Sequence, residues 1–499
     1  MKINGQILFD AEQAKEIDRI SIEELQMPSL VLMERASLKT AEAVARDLSR
    51  KDSVVAVCGS GNNGGDGVAA ARMLFEWGYD VTVLLTGEEK KFTEEMRRQV
   101  DIARNLEMKI VRETDLGQYS VIIDAIFGIG LAREITGRYK KLIESINDTE
   151  AKVYSVDIPS GIHATTGKVL GIAVRANVTV TFGSGKLGLY LFPGRMYGGR
   201  VLIEDIGFPR AAREKMDVRY VTYGRRECEK YFPKRIPDSN KGSYGRLLVI
   251  AGSENMGGAA YFAARAGYLT GAGLVRVISH ENNRVMLQER LPEALIGVYG
   301  DQCPDLAQEL SWATAVVIGP GLGRLNIAGE LLRQVLQIKD MPVLIDADGL
   351  NILAECPKYF DRERRLLLPE NYVITPHLKE MSRLLDCSVE EIKDDPLYSV
   401  RHAAAGAAVV QKDAVTLVSD GEQIYVNSSG NNALAKGGSG DVLSGMIGGL
   451  LARGTDTFTA ASLGVYLHGL TAEEYVKDRS SSSMLATDIL EMLPRVIKK

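Results

Sequence analysis

The sequence predicts an α/β protein of two domains, each built on a mainly parallel sheet covered by helices. Three observations carry that expectation. Short apolar runs recur between helix-length segments, and they are apolar enough for burial on both faces, as parallel strands require. The alternation breaks once, over residues 209–243, where the chain turns charged and aromatic with Pro237 and Gly242 near the end of the stretch. Finally, 499 residues exceed what a single hydrophobic core organises. The expected domains are 1–215 and 225–499.

Taken in order, amphipathic stretches at about 11–25 and 29–48 read as helices. SVVAVC at 53–58 reads as a strand, followed by a Gly-rich turn and an Ala-rich helical pattern. Further strands fall at 79–85, 119–128, 152–161, 177–183 and 200–207. The second series begins with RLLVIAG at 246–252 and continues at 273–279, 313–323, 341–351, 372–377 and 408–412. VTLVSDG at 415–421 and QIYVN at 423–427 read as a hairpin, and the chain beyond Asn432 as mostly helical. The two domains open on similar Gly-rich loops, but the likeness fades after one strand-helix-strand unit, so shared loop logic explains it better than duplication.

Composition narrows the function. Lys+Arg 60 against Asp+Glu 65 gives a net charge of -5, which argues against a nucleic-acid footprint over the whole chain and favours a small-molecule partner. Cys58, Cys228, Cys303, Cys356 and Cys387 form no CxxC pair, so neither a disulfide framework nor a zinc site is indicated, and a reducing, cytoplasmic compartment is expected. The opening residues MKINGQILFDAEQAKEID lack the apolar stretch of a secretory signal. Val442 to Ala452 is Gly-interrupted and roughly half the ~20 residues that cross a bilayer. No membrane partner is expected.

The loop GSGNNGGDG after the first strand formally matches G-x-G-x-x-G, a Rossmann-like feature. Asp66 is expected in the first turn of the next helix, where its charge would compete with a pyrophosphate. Asn62, Asn63 and Asp66 suit sugar hydroxyls, a carboxamide or a hard cation better, unless the loop is only a tight turn. Asp124 and Asp157 each close an apolar strand, at the sheet edge where such folds bind ligands; either could alternatively cap a helix. In the second domain Gly437, Gly438, Ser439 and Gly440 precede Asp441 and a small-residue helix. Bare amides at a helix start bind anions, and an acid beside them can take a proton from an attacking hydroxyl; the same glycines could instead serve helix packing. His377, Lys412 and Lys436 stand near this machinery as ligand or phosphate contacts, or as ordinary structural and surface residues. No P-loop and no HExxH spacing occurs.

These motifs together resemble one family. NNGGDG at 62–67, DAIFGIGL at 124–131, VDIPSGI at 156–162, TVTFG at 179–183 and FPGR at 192–195 are similar to the first half of bifunctional NAD(P)H-hydrate repair enzymes. KGSYG at 241–245, GPGLG at 319–323, DADGLN at 346–351, ITPH at 374–377 and AKGGSGDVLSGMI at 435–447 are similar to the second. The resemblance implies a Rossmann-like three-layer domain followed by a ribokinase-like α/β domain. The first would interconvert the R and S hydrates of NADH and NADPH, which carry a hydroxyl at C6 of the nicotinamide ring. The second would dehydrate the S form using ADP, giving AMP and phosphate, or ATP, giving ADP and phosphate, with magnesium. Such an enzyme is an isomerase and a lyase in one chain, and a homo-oligomer is expected.

By the same resemblance Asp157 is the acid/base of the first domain. A potassium ion would lie near Asn63, Asp124 and Ser160. Substrate contacts would come from Asn62, Asn63, Gly64, Gly65 and Asp66, and from Gly128, Ile129, Gly130, Leu131, Ala132, Arg133 and Glu134. In the second domain Asp441 would deprotonate the C6 hydroxyl, with Gly323 and His377 beside the hydrate. Lys412, Asp413, Ala414, Val415, Thr416, Asn432, Lys436, Gly437, Gly438, Ser439 and Gly440 would line the nucleotide. The chain departs from the family pattern at Leu378-Lys379, where Pro-Gly is usual, at His163 in place of an acid, and at Asp413 in place of a glycine. A small-molecule kinase with an accessory ligand-binding domain is the competing reading, and a non-catalytic nucleotide sensor the other.

Overall fold

The computed structural model describes residues 5–498. Residues 1–4, part of the opening stretch read above for a secretory signal and of the expected first domain, and Lys499, the end of the second, lie outside the described residues. The chain forms two compact units, one of Ile7–Tyr220 and the other from Val221 onward together with Gly5 and Gln6. Gln6 Nε2 donates to Glu227 Oε2 at 3.1 Å, which ties this short segment to the later unit.

In the first unit a seven-stranded sheet runs in the order Lys109–Val111, Asp80–Leu85, Ser53–Cys58, Val121–Ala125, Lys152–Val156, Val178–Phe182, Arg200–Glu204. Every pairing is parallel. Val54 to Cys58 are 0% exposed, so the apolar run is covered on both faces. The strand order reverses at Ser53–Cys58 and Val121–Ala125, and a parallel sheet opens a crevice beyond such a switch point. The loops carrying Asn62 and Gly128 leave from there. The helix Ala11–Arg19 is capped by Asp10, which accepts from Gln13 N at 2.8 Å, and it continues as a π-turn, Ile20–Glu24.

The second unit carries parallel strands in the order Leu295–Tyr299, Leu274–His280, Arg246–Ile250, Ala315–Ile318, Val343–Ile345, Tyr372–Ile374 and Ala408–Gln411. Leu417–Ser419 and Ile424–Val426 then add on antiparallel, as a hairpin. After Asn432 the long elements are helices, Ser439–Ala452, Thr457–Tyr475 and Ala486–Lys498. Lys109–Val111 and Leu295–Tyr299 have no counterpart in the sequence reading. Each is an edge strand with half-exposed residues, and half-burial dilutes the continuous apolar signal of the central strands.

Candidate active sites

In the first unit the strand Ser53–Cys58 runs through a short turn into the helix Asn62–Glu76, with Gly61 extended at the N-cap. The turn is tight because a Cβ on Gly64 would sit 2.3 Å from the Gly59 carbonyl oxygen. The helix already begins at Asn62, so Asp66 lies one turn in. The expected place in the first turn is therefore corrected, and the carboxylate sits off the amide-lined end rather than on it. A cavity of about 760 Å³ opens there. Asn62, Asn63 and Asp66 line it, as do Gly128, Ile129, Gly130, Leu131, Ala132 and Arg133, and Asp157. Gly64 and Gly65 are buried in helix packing, and Glu134 is exposed on the same loop.

Asp157 follows its strand in a left-handed backbone conformation, φ 66°. Its Oδ1 accepts from Lys186 Nζ at 2.6 Å, Thr181 Oγ1 at 3.0 Å and the Phe182 amide at 3.3 Å. Lys186 is 3% exposed and also donates to the Phe182 and Ser184 carbonyls. A third acid, Asp18 of the first helix, lines the same cavity. Burial, with Asp157 nearby, pushes the Asp18 carboxyl up to about 6. Burial, then the charges of Asp157 and Asp18, holds Asp66 well above the ordinary carboxylate range.

Asp124 is 0% exposed. Its donors are Ser155 Oγ at 2.7 Å, the Ser160 amide at 2.9 Å, Ser160 Oγ at 2.5 Å and the Ile126 amide at 3.4 Å. All are neutral, and burial pushes the carboxyl up. Asn63 Nδ2 is buried with no partner. The Asp124 carboxylate, the Ser160 hydroxyl and the amide oxygen of Asn63 are hard oxygen groups of the kind a large monovalent cation takes, and a cation would offset the uncompensated charge of Asp124. The residue set fits potassium on that ground.

In the second unit Asp441 sits in the first turn of Ser439–Ala452, and Gly438 precedes the helix at φ 85°. Two roles divide the glycines here. A Cβ on Gly445 would meet the Ala263 carbonyl at 2.0 Å, so that residue packs helix on helix, whereas a Cβ on Gly437 would meet nothing within 4 Å. The front of the loop faces open space. Lys412 directly follows the strand Ala408–Gln411, and its Nζ lies 3.5 Å from where a Cβ on Gly440 would stand. That ammonium also donates at 2.8 Å to Asp346 Oδ1, while Asp346 Oδ2 accepts from Ser444 Oγ at 2.7 Å. Burial works to raise the Asp346 carboxyl, but Lys412 and Ser444 outweigh it and hold it below its ordinary value. Asp441 is pushed up to about 6 by burial and then by the Asp346 charge, against Lys412. A carboxyl with that setting can exchange a proton near neutrality.

His377 caps the helix Leu378–Leu385. Its Nδ1 accepts from the Lys379 and Glu380 amides at 3.1 and 3.3 Å, while its own amide donates to Glu380 Oε2 at 2.8 Å. The ring is thus built into a helix start, and Leu378-Lys379 keep that turn without the family's Pro-Gly. Burial and then Lys412 lower the imidazole's pKa, and burial lifts Glu380 to about 7. The Gly323 amide donates to Asp348 Oδ2 at 2.9 Å. Asp413, Ala414, Asn432, Lys436 and Gly437 are exposed, Val415 is 9% exposed, and the Thr416 carbonyl accepts from Asn427 N. Ser439 Oγ lies 3.2 Å from His468 Nε2. Burial lowers His468 to about 4, so that ring is neutral.

Comparison with known proteins decides the family. A bifunctional NAD(P)H-hydrate repair enzyme of Coxiella burnetii is 35% identical over 494 residues, covering 98% of each chain. The chain belongs to the family of bifunctional NAD(P)H-hydrate repair enzymes. A second such repair enzyme, from Thermofilum pendens, is 34% identical over 508 residues, 97% of this chain and 95% of its own. Residues 29–188 match the family model described as YjeF-related protein N-terminus, and residues 247–495 the one described as NAD(P)H-hydrate dehydratase. Among solved structures, a ribokinase-like superfamily protein of Enterococcus faecalis is 30% identical, with a TM-score of 0.51, over 56% of this chain and 95% of its own.

Within this repair-enzyme chain, the sequence reading did not single out Lys186, Asp18 or Asp346. Lys186 had a signal, a lone charge in the Gly- and Ser-rich stretch after a strand, and Asp346 had one in DADGLN. Asp18 had none, because one acid on an amphipathic helix carries no mark of which way the chain folds back.

Proposed function

We propose that the two sites perform successive steps of one repair: Ile7–Tyr220 interconverts the R and S hydrates of NADH and NADPH, and the unit from Val221 onward dehydrates the S form. The carrying observation is that each unit, whose relatives share both halves of the chain, holds its own carboxylate-lysine site at the carboxyl ends of parallel strands. In the first, Asp157 is the acid/base group, held by Lys186, Thr181 and the Phe182 amide. Asn62 to Asp66 and Gly128 to Glu134 bind the substrate. Asn63, Asp124 and Ser160 would hold a potassium ion, which supplies fixed positive charge in the buried site.

In the second, Asp441 takes the proton from the C6 hydroxyl as that oxygen attacks the terminal phosphate of ADP or ATP. Lys412 and the amides of Gly437 to Gly440 stabilise the charge that develops. Magnesium, arriving with the nucleotide, supplies further positive charge at the phosphates. Phosphate is a far better leaving group than hydroxide: the C6–O bond breaks with its electron pair, C5 gives up a proton to solvent, and the C5=C6 double bond is restored. His377 and Gly323 flank the hydrate, and Thr416, Asn432 and Lys436 the nucleotide. No helix among the described residues is long and apolar enough to cross a membrane, and the free cysteines support a reducing cytoplasmic setting for the expected homo-oligomer.

The test is absorbance at 340 nm on an equilibrated R and S hydrate mixture with magnesium and ADP or ATP. Full, nucleotide-dependent recovery is expected from the wild type. Asp441→Ala should give none, and Asp157→Ala fast recovery of the S fraction only. No recovery with folded protein refutes the reading and leaves a small-molecule kinase.

A further inference from the structure

The cavity of the first unit holds more carboxyl groups than its ion pairing can absorb. Asp18 comes from the helix Ala11–Arg19, Asp66 from Asn62–Glu76, and Asp157 and Lys186 from segments after Lys152–Val156 and Val178–Phe182. Lys186 makes its shortest contact to Asp157, at 2.6 Å, and shares its remaining two hydrogens among Thr181 Oγ1 and the Phe182 and Ser184 carbonyls. Asp157 gathers the Lys186 ammonium, the Thr181 hydroxyl and the Phe182 amide on one oxygen. Among the described residues, neither Asp66 nor Asp18 accepts a hydrogen bond or stands in an ion pair. Arg133 and Glu95 line the same cavity, the first exposed on its loop, the second accepting from Ser29 Oγ at 2.6 Å. One carboxyl is therefore fixed as the ion-paired partner, and another lines the cavity half-buried, with no donor from the protein. Environments that differ in this way separate an acid from a base.

We propose that Asp66 is the second catalytic residue of hydrate epimerisation, the proton donor that complements the ion-paired Asp157, with Asp18 as its positioning residue. The inference rests on the epimerase reading above. Inverting C6 moves its hydroxyl from one face to the other, and a donor for the leaving oxygen with a separate acceptor for the entering water serves the two faces. Asp66 gives its proton to the C6 hydroxyl oxygen. The C6–O bond breaks with its electron pair, water leaves, and the ring nitrogen's lone pair closes a C6=N1 bond. Water then adds to the opposite face, the C6=N1 pair returns to nitrogen, and Asp157 takes the proton that this water loses. In the reverse direction the two carboxyls exchange roles. No oxidant or reductant enters. Asp18 acts through Asp66: its like charge on the same cavity wall favours retention of the Asp66 proton.

The experiment uses the full chain and measures R-to-S conversion of NADH hydrate by chromatography, with the spontaneous rate subtracted. Nucleotide-dependent dehydration of the S form by the same samples controls for the second unit, and the thermal transition of Ile7–Tyr220 controls for folding of the first. Asp66→Asn preserves shape but carries no acid proton, and it should lower epimerisation kcat about 100-fold or more while KM changes less than about threefold. The wild-type kcat should fall as pH rises through the Asp66 titration. Asp18→Asn should retain most of the kcat and move that falling limb to lower pH, a shift that a merely structural role would not produce. The inference is overturned if Asp66→Asn keeps kcat within about tenfold of wild type, if its loss lies wholly in KM, or if Asp18→Asn leaves the limb unmoved. A wild type that does not speed R-to-S conversion sinks the epimerase reading itself. Dehydration unchanged in all variants shows that the effect is local.

Discussion

Lys186→Met removes the cation from the first site while keeping most of the stem's volume. The ion pair it breaks is largely buried, with side chains 4% and 15% exposed and 2.6 Å between Nζ and Oδ1. Taking one partner from a buried pair costs about 3–5 kcal/mol, because the remaining charge stays desolvated. Asp157 keeps the Thr181 hydroxyl and the Phe182 amide, so the low end, about 3 kcal/mol, is expected. For a domain of roughly 150–250 residues each kcal/mol moves Tm by about 2–4 °C, which predicts a fall of about 6–12 °C in the transition of Ile7–Tyr220. Scanning calorimetry measures it, and a double-mutant cycle with Asp157→Asn isolates the pair. Neutralising Asp157 in the Met background should recover about half the loss. A fall under about 2 °C, or strictly additive effects, would refute the claim that this pair holds the site.

Two further outcomes follow from the second site. Asp441 must be ionised to accept the hydroxyl proton and is pushed up to about 6, so kcat/KM for dehydration should rise with pH through about 6 and level off above it. Asp346→Asn removes a nearby negative charge and should move that inflection to lower pH; a profile flat from about pH 5 to 8 contradicts the role of Asp441. Gly438 has φ 85°, and a Cβ there would stand 2.8 Å from Phe262, so Gly438→Ala should cost about 1–2 kcal/mol of stability by thermal unfolding. Gly437→Ala, where a Cβ meets open space, should leave stability within about 0.5 kcal/mol and raise the nucleotide KM. An unchanged KM would place the phosphates elsewhere.

What the sequence determined by itself is what local pattern can encode. Runs such as Val54 to Cys58 declare buried parallel strands because every residue must be apolar when both faces are covered, and the Gly-rich loops mark where backbone turns sharply or lies open. The break near 209–243 was legible for the same reason, and the motifs carried the family. Candidate residues at strand ends and helix starts, Asp157 and Asp441 among them, were legible because a parallel sheet delivers its loops to one edge. The tertiary structure alone decided how charges are matched. Lys186 meets Asp157 across 29 residues and Lys412 meets Asp346 across 66, separations that follow from strand order rather than from any periodicity. It also decided that Asp18, from the first helix, enters the cavity, and that Asp66 stands one turn inside its helix. Burial and charge pairing are properties of the closed chain, and the chemistry of a carboxyl group depends on both.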